Sequence, residues 1–203
     1  MGTDDTQGHR GRPREFDVDE ALDCALKVFW QNGYEGTSLT DLTEAMGITR
    51  PSLYAAFGSK EGLFRKVLTR YASGPAAFVT EALSATTARE VASMLLRGSV
   101  DMLTCPDNPS GCLMVQGALS SGEDAKPIRV ELASWRVMRE EAMRRRFDRA
   151  LEEGDLPADS DPVVLARFIS TVMQGMAVEA AAGARRDDLL RVVEMSMKSW
   201  PSA

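Results

Sequence analysis

The chain has 203 residues, 44% hydrophobic and 6% aromatic, with 11 Met, three Cys, one His and a formal charge of −6. That length suits one large domain or a small one joined to a larger one, and the composition excludes disordered and fibrous classes. The longest apolar stretch, 165–184, is interrupted by Arg167, Gln174 and Glu179, so no membrane span is expected, and the polar first 14 residues lack the apolar core of a secretory signal.

Residues 1–14 hold Gly and Pro without apolar periodicity and carry Arg10, Arg12 and Arg14, which predicts a flexible basic arm. Asp17 and Glu20 have capping-box spacing, and Val18, Leu22, Ala25 and Phe29 recur at helical period until Asn32-Gly33 ends the first helix. Thr37 or Ser38 caps a short second helix with Leu39, Leu42, Ala45 and Met46 inward, stopped by Gly47. Thr49 caps a third helix, 50–57, with Pro51 in its first turn, where the missing N–H is harmless. Gly58-Ser59 breaks the chain again, and a fourth helix of about 59–72 carries Leu63, Phe64, Val67, Leu68 and Tyr71.

Beyond Gly74-Pro75 the pattern predicts helices over 76–84, 87–104 and 112–120, the last two separated by the breaker-rich loop 105–111. Pro127 opens the longest helix, whose stripe reads Ile128, Leu132, Trp135, Met138, Phe147 and Leu151, and helices over 162–182 and 185–200 follow. No run alternates with period two. The expected architecture is all-α, about nine helices: an arm (1–14), a small N-terminal three-helix unit with a connecting helix (15–72) and a larger helical part (73–203).

The net charge hides its distribution. Residues 50–70 carry Arg50, Lys60, Arg65, Lys66 and Arg70 against Glu61 alone, and with the arm they form a local basic footprint, whereas the chain from residue 71 has 15 basic and 19 acidic residues. Two short helices joined by Gly47-Ile48-Thr49 have the layout of a helix-turn-helix, whose second helix can enter a major groove.

The wording around that turn is specific: the Gly-Arg-Pro arm, the aromatic-Gly-Tyr step at 30–34, and Leu-Tyr-x-x-Phe-x-x-Lys-Glu from Leu53 to Glu61. Over about residues 12–70 it resembles the N-terminal domain of the tetracycline-repressor-like (TetR/AcrR) family of bacterial regulators. The resemblance implies a repressor that binds a double-stranded, pseudo-palindromic operator as a homodimer and is released by a small-molecule effector. Physical reasoning assigns roles alongside it. Thr37 and Ser38, with Thr49, sit at helix N-termini suited to phosphate. Arg50 can reach a guanine edge, Ser52 either polarity, and Ala55 a thymine methyl. Lys60 and Tyr54 suit phosphate, with Tyr54 equally readable as a packed ring. Arg10, Arg12 and Arg14 could follow a minor groove or remain a solvated tail.

For the larger part the resemblance implies effector binding and dimerisation through the last two helices. Met102, Met114, Trp135, Met138, Phe168, Met173 and Gln174 are the candidate lining of a mostly apolar pocket, with plain core the alternative. Cys105 and Cys112 flank a short loop, which leaves open a thiol-based redox or metal response. The odd, sparse cysteine set otherwise predicts reduced thiols in a cytoplasmic protein. No catalytic motif, metal-ligand set or cofactor loop is present, so no enzyme, metal or cofactor is expected. A helical protein-interaction module without an effector is the remaining reading.

Overall fold

The computed structural model describes residues 16–118 and 125–201, which leaves Arg10, Arg12 and Arg14 outside the described residues. Ten α-helices and no strand occur among the described residues, ten rather than about nine. α1 (Val18–Asn32) starts at Asp17, whose carboxylate accepts from the backbone N–H groups of Asp19 and Glu20 at 2.8 and 3.2 Å. α2 (Leu39–Met46) starts with a reciprocal capping box: Ser38 N–H donates to Asp41 Oδ2 at 2.7 Å, and Asp41 N–H to Ser38 Oγ at 3.1 Å. Its end is equally local. Gly47 sits at φ 63°, ψ 29°, its N–H reaches Glu44 O, and Ile48 N–H reaches Thr43 O, a Schellman arrangement that glycine accommodates without strain.

α3 (Arg50–Phe57) and α4 (Lys60–Ser73) are capped by Thr49 and Ser59, whose hydroxyls accept from Ser52 and Gly62 N–H. α1 packs on α2 and α4, and α3 bridges α2 and α4. Buried rings fasten this group: Phe29 meets Phe64 edge-on at 5.0 Å, and Tyr34 meets Phe64 at 5.2 Å.

α5 (Phe78–Leu83), α6 (Ala88–Leu103), α7 (Leu113–Ala118), α8 (Lys126–Glu152), α9 (Pro162–Ala181) and α10 (Arg186–Lys198) form the larger part. α5 begins later than the pattern implies, because 74–77 close into turns from Ala76 N–H to Tyr71 O and Ala77 N–H to Gly74 O. α6 packs against α5, α9 and α10, and α8 touches α5, α6, α7 and α9. Gly98 lets α5 approach, since an added Cβ there would stand 2.4 Å from the Phe78 ring. Arg146 of α8 is only 5% exposed and donates to the carbonyls of Ala85 and Thr86, tying the α5–α6 turn to α8.

The stripe expected along α8 is corrected at one point. The buried track runs Ile128, Leu132, Met143, Arg146, Phe147 and Ala150, so the turn between Leu132 and Met143 faces inward at Arg139, while Met138, one residue earlier, is 55% exposed. By length and composition alone α9 is apolar enough to cross a membrane, despite Arg167 and Glu179. In the fold its buried face, including Ala166, Ile169, Met173 and Ala177, lies against α6 and α8.

Candidate functional site

The candidate reading surface is the exposed side of α3. Leu53 and Phe57 point into the small core, which turns Arg50, Tyr54 and Ala55 outward; Tyr54 is 47% exposed. Arg50 is held in place across the turn, its Nη2 donating to Thr40 Oγ1 at 2.9 Å. That bond fixes part of a flexible chain and leaves the remaining N–H donors of the guanidinium available. Ser52 is half-buried, with its hydroxyl 2.9 Å from that of Thr49.

Ser38 and Thr49 are exposed at the N-termini of α2 and α3. Thr37 is not available in the expected way: it is 1% exposed, and its hydroxyl donates to Gly33 O at 2.6 Å. That hydroxyl serves the turn after α1, which removes it as a phosphate contact. Lys60 Nζ stands 4.4 Å above the Tyr34 ring, a cation–π arrangement. Burial pushes its pKa down, opposed by Glu35 and Asp41. Asp41 is itself held below the ordinary carboxylate value by the Ser38 N–H and hydroxyl.

A second feature lies between α4 and the larger part. A partly open cavity of about 20 Å³, room for about a single water, is walled by Tyr71, Met102, Cys112, Met173 and Gln174, with Phe78, Ser99 and Arg139. The Tyr71 hydroxyl donates toward Cys112 Sγ at 3.2 Å and Met102 Sδ at 3.3 Å. Burial raises the Tyr71 pKa well above its ordinary value, with Cys112 adding to the effect and Arg139 opposing it. One residue before Cys112, Gly111 O accepts from Trp30 Nε1 of α1 at 2.9 Å. Trp30 in turn meets Tyr71 edge-on at 4.8 Å. Two helices of the reading group thus converge on consecutive residues of one loop.

Residues 21–67 match the family described as bacterial regulatory proteins, tetR family, and residues 93–195 match the tetracyclin repressor-like, C-terminal domain. The chain is 39% identical to the HTH-type transcriptional repressor ComR of Escherichia coli (strain K12), an alignment covering 99% of this chain and 98% of ComR. The chain belongs to the TetR family. Among solved structures it is 45% identical to CifR, a TetR-family regulator determined in cysteine-substituted form with 26 bp double-strand operator DNA; the match covers 94% of this chain and 100% of CifR with a TM-score of 0.89. A TetR transcriptional regulator from Rhodococcus sp. RHA1 is 41% identical, with a TM-score of 0.62 over 92% of this chain and 100% of that one. TetR-family chains are transcriptional regulators and not enzymes.

Within this TetR-family chain, three of the seven expected pocket residues, Met102, Met173 and Gln174, line the cavity. Met114 is buried and Trp135 and Phe168 half-buried, all outside its walls, and Met138 faces outward. The sequence reading missed Tyr71 and Arg139. Tyr71 reads from sequence as one more apolar position of α4, and Arg139 lies outside the stripe expected along α8; the four-, three- and four-residue steps from Ile128 through Leu132 and Trp135 are the signal that leads to it. Cys105 and Cys112 are both free thiols. No cluster of three or more His, Cys, Asp or Glu suited to a metal occurs among the described residues.

Proposed function

We propose that this TetR-family chain is a repressor that binds a pseudo-palindromic duplex as a homodimer and is released by a small effector bound between its reading and sensing parts, divided near residue 73. The observation that carries the reading is the outward face of α3, where Arg50 is braced by Thr40 with Tyr54 and Ala55 beside it. Operator binding by CifR, which matches this chain along its length, supports the same reading. Ser38, Thr49 and Lys60 are assigned to phosphates, and Arg50, Ser52, Tyr54 and Ala55 to the groove.

The dimer is assigned to α8 and α9 rather than to the final helix pair. Leu189 and Val193 of α10 are buried within the protomer, whereas Val130 and Val137 of α8 and Val163, Val164 and Val178 of α9 are each more than half exposed. Gly175 lies on the exposed side of α9, and an added Cβ there would meet nothing within 4 Å. A mid-helix glycine costs roughly 0.5–1 kcal/mol relative to alanine, and a partner helix approaching closely supplies the reason for it.

Selection of bound sequences from random duplex DNA tests the reading, followed by the same selection with Arg50→Ala. The wild type should enrich an inverted repeat, and the variant should lose roughly 1–3 kcal/mol of discrimination at one position per half-site. Failure of the wild type to enrich any duplex refutes the proposal. A second reading, a thiol response through Cys105 and Cys112, has the Tyr71–Cys112 contact in its favour. It requires Cys112→Ser to abolish release, which the effector reading does not.

A further inference from the structure

We propose that the cavity beneath Tyr71 takes a small monocarboxylate with an apolar tail, its carboxylate read by Arg139 and Tyr71; this rests on the effector-responsive reading above. The first observation is an unmet donor. Arg139 Nε is enclosed by protein and has no hydrogen-bond partner, although it belongs to a residue lining the cavity. A buried guanidinium N–H without an acceptor is unfavourable, and it favours any ligand that brings a negatively charged oxygen.

The second observation is a donor spent poorly. The Tyr71 hydroxyl, almost fully enclosed, points at the sulfurs of Cys112 and Met102, both weak acceptors. A carboxylate oxygen would take that hydrogen bond in preference to either sulfur. Gln174 also lines the space, its side-chain amide N–H already donating to Ser170 Oγ at 3.0 Å.

Charge decides between ligand classes. Three sulfur-bearing side chains, Met102, Cys112 and Met173, line the cavity and by themselves would suit a soft cation. The guanidinium in the same wall opposes any cation, and no described Asp or Glu lines the space to offset it. One guanidinium and one phenol match the single charge and two oxygens of a carboxylate; a phosphate monoester would bring further charge with no second cation to meet it. The rest of the wall, Phe78, Val79, Leu103 and Val115 among it, calls for an apolar tail.

The volume supplies the coupling. At about 20 Å³ the cavity is too small for anything much larger than one water, so the carboxylate binds only an expanded state, with flexible Met102 and Met173 giving way. Drawing the Tyr71 hydroxyl away from Cys112 shifts the end of α4, whose other end abuts the recognition helix. A ligand that fits only the expanded state weakens operator binding, and the operator weakens ligand binding by the same factor.

The test uses the full-length protein, a straight-chain monocarboxylate series and the primary alcohols of equal length as neutral controls. Thermal melting reads binding, and fluorescence anisotropy of the selected operator duplex reads release. Carboxylates should raise the melting temperature and release the duplex, with alcohols weaker by roughly ten- to a hundredfold, the range of a charge-assisted hydrogen bond. Arg139→Met should erase that preference while keeping operator affinity in the absence of additive. Tyr71→Phe should still be stabilised by carboxylates yet release the duplex less readily. Equal potency of alcohols, an undiminished preference in Arg139→Met, or no carboxylate acting at millimolar concentration overturns the proposal. A wild type that melts cooperatively but binds no duplex fails the regulator reading alone, since the melting series still decides the ligand class.

Discussion

The helix ends of the reading part and the ties that join it to and brace the sensing part differ in how far they reach. In α1–α4 the caps and stops close over two or three residues: Asp17 with Asp19 and Glu20, Ser38 with Asp41, Gly47 with Glu44, Thr49 with Ser52, and Ser59 with Gly62, and the longer polar ties Arg50–Thr40 and Arg70–Asp23 stay inside the same group. At the junction and within the larger part they span the chain: Trp30 with Gly111, Tyr71 with Cys112, Arg146 with Ala85, and Ala88 with Asp155. A locally closed unit keeps its geometry whatever the rest does, which suits a surface that must fit a fixed duplex. A unit held by distant contacts can exchange one arrangement for another, which suits a sensor.

The sharpest way to break that contrast is at the junction. Trp30→Phe keeps the ring against Tyr71 but leaves the buried Gly111 carbonyl without its donor, at a cost of roughly 1–3 kcal/mol in denaturant unfolding. The variant should also respond less to effector, because α1 no longer grips the loop that carries Cys112. A stability change no larger than that of a surface substitution, with the response intact, would place the junction elsewhere.

Cutting a local contact should have a smaller effect on stability and leave the sensor untouched. Ser38→Ala removes the capping hydroxyl of α2 and is expected to cost about 1 kcal/mol, with no change in effector response. The pH dependence separates the two halves of this box. Because the Ser38 groups hold the Asp41 pKa below its ordinary value of 3.8, the stability this linkage gives is complete above that value and is lost as pH falls through the lower folded value. The advantage of wild type over Ser38→Ala should therefore be flat from neutral to mildly acidic pH and shrink only below about 3.8. A difference that declines already near neutrality would mean another group governs it.

The same contrast explains what the sequence made legible. Helix limits in the reading group are set by residues adjacent to them, so Asp17, Gly47, Thr49 and Pro51 are readable one at a time. Even there Thr37 misleads, since a hydroxyl beside a helix start looks free until its acceptor, Gly33 O, is located. In the larger part, α8 meets four other helices, and its inward track carries Arg139 and Arg146 among apolar residues. Hydrophobicity then favours Met138 over Arg139, although the helical track passes through the arginine. Exposure in α9 and α10 is no easier to read from sequence: Leu189 and Val193 are as apolar as Val163 and Val164, and only packing on α6 shows which pair is already covered.

The smallest expected effect tests whether a reading residue can be separated from the fold beneath it. Lys60 is held over Tyr34 with its pKa lowered mainly by burial, so its charged form is penalised in the folded protein. The sign follows from linkage: below the lowered folded pKa the ammonium is charged in both states and the penalty is complete, and it is relieved as pH rises from that value toward 10.5. Lys60→Met should therefore leave thermal stability at neutral pH unchanged or slightly raised, and should flatten any gain in the alkaline window. A phosphate placed against the ammonium offsets the same penalty, so operator binding by the variant should weaken about equally for every sequence, and the salt dependence of log K should fall by about one counterion per protomer. Loss confined to particular base pairs would move Lys60 from the backbone to the groove. A drop in stability equal to the loss in binding would make it a strut for Tyr34, with no direct part in reading DNA.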